Sequence, residues 1–276
     1  MRTYVITGGT DGMGRGLALR FLERGDRVIA VASGKAKGEA LLAEAGRRGA
    51  GGRAEFVRAD LSTVAGMRDA VAKVASSADA VDGLVFGAQR YASQRVETED
   101  GLEFTFALAY LSRYVLGHGL LPHLEKAEAP VVMNLAGPGG LPGTVHWDDL
   151  QLTSGYRGRR AAMQSSRLND LLGVAFPLRH PAARTRYVMY NPGFVRTGMA
   201  DPLPIAFRLF TKAAALVAAQ PVSRAIVPIA ALVDAPPAEP LSAFMRSRRL
   251  PLEGADFDPE RALRLDSLTA RLLDAL

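Results

Sequence analysis

Glycines near the amino terminus have the spacing of a phosphate-binding turn. The segment Thr7-Gly8-Gly9-Thr10-Asp11-Gly12-Met13-Gly14 follows a short apolar run and precedes an amphipathic stretch. The spacing Gly8-x3-Gly12-x-Gly14 permits a tight turn, lets backbone N–H groups approach a pyrophosphate, and lets a helix pack closely on a strand. The sequence therefore predicts a nucleotide site here, with Thr10, Asp11 and Met13 beside the three glycines.

Other kinds of site are excluded by composition. The 276 residues include no Cys, so the chain has no thiolate nucleophile, thiolate metal site or redox switch. Its four His residues are scattered without metal-ligand spacing, and no metal is predicted. We expect a cytoplasmic protein, because the sequence begins without an apolar signal segment and has no apolar run long enough to span a membrane.

The charge is positive but dispersed. The formal net charge is +6 at pH 7, and the basic residues are spread along the chain. A dispersed positive surface is typical of a solvated protein, so no nucleic-acid partner is predicted. A small anionic ligand would account for part of the charge equally well.

The alternation of apolar runs with amphipathic stretches predicts the elements that position the turn. Helices are expected between successive strands, with long ones over 102–124 and 161–176 and a carboxyl-terminal one over 259–273. This rhythm predicts an α/β fold with a doubly wound parallel sheet in a single domain, residues 1–276. Strands are expected at 4–6, 28–31, 56–57, 84–86, 131–135 and 186–190.

Residues 202–233 are unusually apolar and are punctuated by prolines. One interpretation is ordinary core and subunit interface. The other is a helical lid over about 198–220 that covers an apolar ligand, because pockets for such ligands are lined by hydrophobic side chains.

Five motifs together resemble a known family. They are the glycine turn, Asp60-Leu61-Ser62 after the third strand, residues 98–103, residues 166–169, and residues 192–197 after the sixth strand. In this combination the chain resembles the short-chain dehydrogenase/reductase family over nearly its whole length, and the retinol-dehydrogenase-like branch in particular. The resemblance implies a Rossmann-like fold and an NAD(P)-dependent oxidoreductase.

The resemblance also implies coenzyme contacts. Asp60 would hold the adenine, and Leu61, Ala88 and Arg167 are further expected contacts. The nicotinamide would be bordered by Pro192, Gly193, Val195 and Thr197.

The choice of nicotinamide depends on the end of the second strand. Family members that prefer NAD carry an acidic residue there, which binds the ribose 2′-OH and repels a 2′-phosphate. This chain has Ala32 and Ser33, followed by Lys35, and a hydroxyl with an ammonium can hold a phosphate. NADPH is therefore favoured. NADH stays open, because the family's usual Arg is also missing, and Ser33 is equally interpretable as an ordinary strand-end residue.

The family's catalytic tetrad is absent. Its Asn, Ser, Tyr and Lys fall by register on Ala109, Gly137, Met163 and Arg167. No Tyr in the chain is followed four residues later by Lys, so the usual Tyr–Lys pair cannot form. Methionine cannot donate a proton, and a guanidinium that stays protonated is a poor general acid. Tyr156-x3-Arg160 has the same spacing with Arg in place of Lys, but it is expected in a loop and not in the helix.

Two principal hypotheses follow. The first is a ketoreductase for a flat aromatic ketone, with the proton supplied by the substrate's own phenol or by solvent, similar to the tetrad-less ketoreductases of angucycline biosynthesis. Its expected substrate contacts are Gly137, Met163, Phe194, Met199 and Phe207.

The second hypothesis is a protein that binds NAD(P) without turnover, as a redox-sensing or regulatory partner. Non-redox chemistry with His146 or Tyr110 is a third, smaller alternative. The family commonly forms dimers or tetramers through its fourth and fifth helices, so a homo-oligomer is an open expectation.

Overall fold

The protein is built around a central β-sheet. A computed structural model describes residues 1–138, 142–195 and 220–276. The strand order is β3-β2-β1-β4-β5-β6-β7-β8, in which β1 to β7 are parallel and β8 pairs antiparallel with β7. The strands are β1 (Thr3–Thr7), β2 (Arg27–Ala32), β3 (Ala54–Arg58), β4 (Gly83–Phe86), β5 (Val131–Leu135), β6 (Arg186–Asn191), β7 (Leu241–Met245) and β8 (Arg248–Arg249).

This arrangement confirms the predicted doubly wound sheet and all six predicted strands. The sheet has two further strands, β7 and β8, that were not predicted. Strand β7 was missed because Leu241–Met245 is short and only partly buried, and it lacks β-branched residues. Strand β8 is two residues long.

Burial of both sheet faces explains the apolar strands. Along β1, Tyr4 and Ile6 enter one core cluster and Val5 enters the other, as the two-residue period of a strand requires. Every residue of β5 is buried. A parallel sheet covered on both faces produces such continuous apolar runs.

Helices cover both faces of the sheet. The bounds are α1 (Gly12–Glu23), α2 (Lys35–Arg47), α3 (Val64–Ser77), α4 (Phe104–Phe106), α5 (Ser112–Gly119), α6 (Leu121–Leu124), α7 (Gly158–Arg179), α8 (Val222–Asp234) and α9 (Pro259–Asp274), with a 3₁₀ turn at Gly51–Arg53. The predicted helices at 161–176 and 259–273 correspond to α7 and α9.

The long helical stretch predicted over 102–124 is found, with a π-helical turn inside it and a one-residue break before α6. The chain forms α4, then a π-helical turn at Ala107–Leu111, then α5 and α6. Pro122 in the first turn of α6 has no N–H to continue the hydrogen bonding of a preceding helix, so the helical stretch restarts there. π-Helical turns inside helices are frequent at functional sites.

The carboxyl-terminal helix α9 packs against α7 and the π-helical turn. Tyr110 Oη lies 2.6 Å from Thr269 Oγ1, and Arg179 Nε lies 3.1 Å from Asp266 Oδ2. Helix α7 is buried at every residue from 164 to 176. Helix α9 therefore covers part of α7 and of the π-helical turn. The predicted homo-oligomer stays a prediction.

Candidate coenzyme and substrate site

The glycine turn brings β1, α1 and the end of β4 into close contact. Gly8 has φ +67°, and a Cβ on it would lie 2.9 Å from the carbonyl oxygen of Gly87. A Cβ on Gly14 would lie 2.3 Å from the carbonyl oxygen of Gly8. Both positions therefore require glycine, and the turn leaves its backbone close to any group bound over the start of α1.

Hydroxyl and carboxylate side chains fix the edges of this turn. Thr7 Oγ1 accepts hydrogen bonds from the backbone N–H groups of Gly87 and Ala88, at 3.1 and 3.2 Å. This contact joins β1 to β4 where the strand order reverses, which is the usual ligand crevice of a doubly wound sheet. Asp11 caps α1 by accepting from the N–H of Gly12 at 2.7 Å.

Lys37, not Lys35, contacts the glycine turn. The ammonium of Lys37 pairs with the carboxylate of Asp11, and this hydrogen bond is the largest cause of a lowered pKa for that carboxyl. Lys35 instead lies 3.7 Å from Glu39 on the exposed face of α2. Sequence reasoning missed Lys37, although its position in the first turn of α2 was a signal.

A cavity of about 330 Å³ opens beside the ends of β2 and β3. Its lining includes the predicted residues Ser33 and Asp60, together with Arg58, Ala59, Gly66 and Asp69. Arg58 Nε donates to the carbonyl oxygen of Ser33 at 3.3 Å. No local feature of the sequence pointed to Arg58, because only the pairing of β2 with β3 places it beside Ser33.

Asp60 is held in a turn after β3. Its Oδ1 accepts from the backbone N–H of Ser62 at 2.9 Å and from Ser62 Oγ at 2.7 Å. Leu61 is buried and packs in the core. The carboxylate is therefore fixed at the rim of the cavity.

The tetrad positions carry no proton donor that could replace Tyr. Ala109 lies in the π-helical turn, where its carbonyl oxygen accepts from Asn169 Nδ2 at 2.8 Å. The carbonyl oxygen of Gly137 accepts from Arg167 Nη2 at 3.2 Å, so these two positions are in contact. Met163 lies in helix α7, one turn before Arg167.

Two carboxylates engage Arg167. Its Nη2 lies 2.7 Å from Asp170 Oδ2, and its Nη1 pairs with Asp256 from the segment before α9. The Arg167 side chain is only 3% exposed and that of Asp170 is fully buried. Burial raises the pKa of Asp170 to about 7 despite the neighbouring guanidinium. The guanidinium thus serves this ion cluster in the structure, and its predicted contact with the coenzyme stays a prediction.

A second buried polar cluster lies behind the tetrad positions. Arg113 Nη1 donates to Asn134 Oδ1 and, at 3.2 Å, to Asn169 Oδ1. Asn134 Nδ2 donates to Tyr187 Oη at 2.9 Å. Burial lowers the pKa of Arg113 to about 10. Sequence analysis missed this cluster, although Arg113 in an apolar helical run one turn after Ala109 was a signal for it.

The alternative acids considered from the sequence are engaged elsewhere. Tyr110 is fully buried against Thr269, and its burial raises the pKa of its hydroxyl. His146 Nε2 accepts from Arg160 Nε at 2.9 Å; burial and then the Arg160 charge lower the pKa of its imidazole.

Tyr156 also has fixed partners. It precedes α7, whereas Arg160, which was expected in the same loop, lies in the first turn of that helix. The Tyr156 hydroxyl lies 3.2 Å from both the carbonyl oxygen of Ala92 and Glu103 Oε1. Burial raises the pKa of Tyr156 to about 12. The hydroxyl is therefore held as a structural donor.

A cleft of about 560 Å³ lies at the start of α7. Met163, a predicted substrate contact, is one of its walls, with Tyr156 and Arg160 beside it. The predicted contact Phe194 is 77% exposed in the loop after β6.

The loop after β6 begins with predicted nicotinamide contacts. Gly193 has φ +71°, and Gln220 Nε2 donates to the carbonyl oxygen of Pro192 at 2.8 Å. Val195 forms an isolated bridge with Gln220. Thr197, Met199, Phe207 and nearly all of the predicted lid lie outside the described residues.

The sheet topology and the glycine turn after β1 agree with a match to a family model. Residues 2–148 match the short chain dehydrogenase model, which covers more than half of the chain. The chain therefore belongs to the short-chain dehydrogenase/reductase family, whose members are NAD(P)-dependent oxidoreductases.

Named relatives are distant. Over 197 residues the chain is 29% identical to dehydrogenase/reductase SDR family member 12 of Bos taurus, covering 71% of this chain and 61% of that protein. It is 28% identical over 171 residues to retinol dehydrogenase 13 of Mus musculus, covering 62% and 51%. The matched parts thus span between half and two thirds of these relatives.

Solved structures are similar in fold. A variant of actinorhodin polyketide ketoreductase, solved with NADPH, superposes with a TM-score of 0.66 at 20% identity, covering 88% of this chain and 95% of that one. At this identity the likeness concerns the fold alone.

The described part of the chain has neither a group of side chains arranged to hold a metal ion nor a helix that could cross a membrane.

Proposed function

We propose that the protein is an NAD(P)H-dependent ketoreductase of a polycyclic aromatic ketone that works without the family's Ser, Tyr and Lys side chains. One observation carries the proposal. The glycine turn and Asp60 are kept, while by register Met163 falls on the position of the family's proton donor, and two carboxylates engage Arg167.

The residues of the glycine turn, together with Asp60, Pro192 and Gly193, fit a dinucleotide. The two glycines whose Cβ atoms would clash leave the backbone of the turn open to a pyrophosphate. Asp60 would hold the adenine end, and Pro192 and Gly193 would border the nicotinamide. When bound, the coenzyme supplies the hydride that reduces the carbonyl carbon.

The cavity beside Ser33 favours NADPH over NADH. Arg58 and Ser33 line it together, and no acidic residue ends β2 to repel a 2′-phosphate. Asp60 and Asp69 also line the cavity, so the phosphate would be held on its Arg58 side. An exposed guanidinium is a suitable partner for a phosphate.

Reduction also requires a proton at the carbonyl oxygen. Neither Met163 nor a permanently protonated Arg167 can deliver it. A ketone with a neighbouring phenol carries its own acid. The phenol hydrogen-bonds the carbonyl oxygen and gives its proton to the alkoxide as the carbonyl carbon accepts hydride, and the phenolate then takes a proton from water.

A flat, apolar substrate suits the cleft beside Met163. The apolar residues Met199 and Phe207, named from the sequence, fit the same substrate class. The actinorhodin enzyme of similar fold is by name a polyketide ketoreductase. The angucycline ketoreductases that this chain resembles also lack the tetrad residues. Both likenesses support an aromatic polyketide as the substrate.

Turnover with defined ketones tests the proposal. Purified protein is incubated with NADPH or NADH and polycyclic aromatic ketones, and both nicotinamide absorbance and product mass are followed. We expect alcohol formation from ketones with a neighbouring phenol. If no ketone is reduced with either coenzyme while NADPH still binds, the alternative of a silent NAD(P)-binding sensor replaces this proposal.

A further inference from the structure

The entrance to the cleft at the start of α7 is lined by positive charge. Its lining consists of Gly155, Tyr156, Arg157, Arg159, Arg160 and Met163. Half of these residues are arginines and none is acidic. A neutral aromatic ketone would offer these guanidinium groups no partner of opposite charge.

Arg160 has structural partners that account for it. Its Nε donates to His146 Nε2 at 2.9 Å, and its Nη1 donates to the carbonyl oxygens of Ser154 and Gly155 at 3.3 and 3.2 Å. Arg160 therefore holds the loop before α7 in place.

Arg157 and Arg159 differ from Arg160. Both are exposed, and among residues 1–138, 142–195 and 220–276 neither has a carboxylate within 4.0 Å. The nearby carboxylate of Asp149 is engaged by the backbone N–H groups of Thr153 and Ser154, at 2.8 and 3.1 Å. Two guanidinium groups thus face the cleft entrance without a neutralising partner in the described chain.

We propose that Arg157 and Arg159 form a subsite for an oxyanion, a carboxylate or a phosphate, carried on the aromatic body of the substrate. Guanidinium groups bind such oxyanions through paired N–H donors, and Met163 supplies apolar contact for the rings. This inference rests on the proposed function, because it names a further feature of that substrate.

Binding of non-reducible probes tests the subsite independently of turnover. Anthracene-2-carboxylate, anthracene-2-yl phosphate and the neutral anthracene-2-carboxamide are titrated by calorimetry into the protein with NADPH present. We expect at least one of the two anions to bind about 10-fold more tightly than the amide, and the preference to weaken as salt is raised, because the arginines are exposed. The carboxylate and phosphate arms distinguish the two sources of the anion.

Substitution of the two arginines tests whether they cause the preference for the anionic probes. R157Q/R159Q is expected to abolish the anion preference and leave amide binding, NADPH affinity and the thermal midpoint unchanged. R159Q alone should give an intermediate preference, and R20Q, at an exposed site on α1, should retain it fully. Equal binding of anions and amide, or a preference that survives R157Q/R159Q, would overturn the subsite. Reduction of neutral ketones would still support the proposed function, so the two proposals fail separately.

Discussion

Arg167 and Asp170 lie one turn apart on helix α7, and Arg167 Nη2 is 2.7 Å from Asp170 Oδ2. The pair is buried, and Asp256 completes it from the segment before α9. Arg167, on which the family's catalytic Lys falls by register, thus helps join α7 to the carboxyl-terminal part of the chain.

Asp170 makes stability depend on pH. Its pKa is raised to about 7, whereas an unfolded Asp titrates near 4, so the folded state binds the proton more tightly. Its contribution is fully present below the unfolded pKa and is lost as pH rises through 7. From pH 5 to pH 7, we expect the unfolding free energy of the wild type to fall by about 2 kcal/mol relative to that of D170N.

Urea unfolding at several pH values measures this difference. D69N, at an exposed carboxylate on α3, is the control and should show no such trend. A constant difference between D170N and wild type across this range would show that Asp170 stays ionised in the folded protein.

Gly14 is required by the contact between α1 and β1. The Cβ in G14A would meet the carbonyl oxygen of Gly8 at 2.3 Å, so the turn must open. We expect NADPH affinity to fall at least about 10-fold, together with a lower thermal midpoint, because the backbone donors lose their positions. G46A is the matched control, since a Cβ there has no neighbour within 4 Å. Unchanged NADPH binding by G14A would be incompatible with this coenzyme site.

Arg58 is expected to determine coenzyme preference. R58A should weaken NADPH binding about 10- to 100-fold, the range of a lost charge-assisted hydrogen bond, and leave NADH binding within about 3-fold. Fluorescence titration with both coenzymes provides the comparison, with R20A as the control for loss of an exposed arginine. Equal weakening for both coenzymes would place Arg58 outside the 2′-phosphate contact.

Tyr156 is expected to be dispensable for the chemical step. Its hydroxyl faces Ala92 and Glu103, and its pKa is raised to about 12 by burial. Y156F should therefore keep kcat within about 10-fold, compared with the 10²–10⁴-fold loss typical of a removed general acid. A loss within that larger range, with substrate affinity preserved, would identify Tyr156 as the donor.

The sequence was most informative where structure is local. The glycine turn and the strand rhythm are contained in a few consecutive residues, and both are found as expected. The pair Arg167–Asp170 is also local, but its burial is not, because the side chains of α7 become buried only when the sheet, α9 and the other neighbouring elements pack on it. Asp256 is 89 residues from Arg167, and no spacing rule could have joined them.

Contacts between residues on neighbouring strands also could not be predicted from the sequence. Arg58 lies beside Ser33 because β2 and β3 pair with Ala32 opposite Arg58. The π-helical turn at Ala107–Leu111 lies inside the helical stretch that periodicity predicts, and periodicity could not show it, since packing against neighbouring elements decides the local hydrogen-bond pattern.

The substrate, not the protein, is expected to supply the proton. The most direct test compares kcat/KM for one polycyclic aromatic ketone with a free neighbouring phenol and for the methyl ether of the same compound, under identical NADPH concentrations. We expect a fall of about 10²–10⁴-fold for the ether, the contribution of a general acid. Equal reduction of both compounds would contradict this expectation and would require a proton donor other than the substrate, either solvent or a group of the protein.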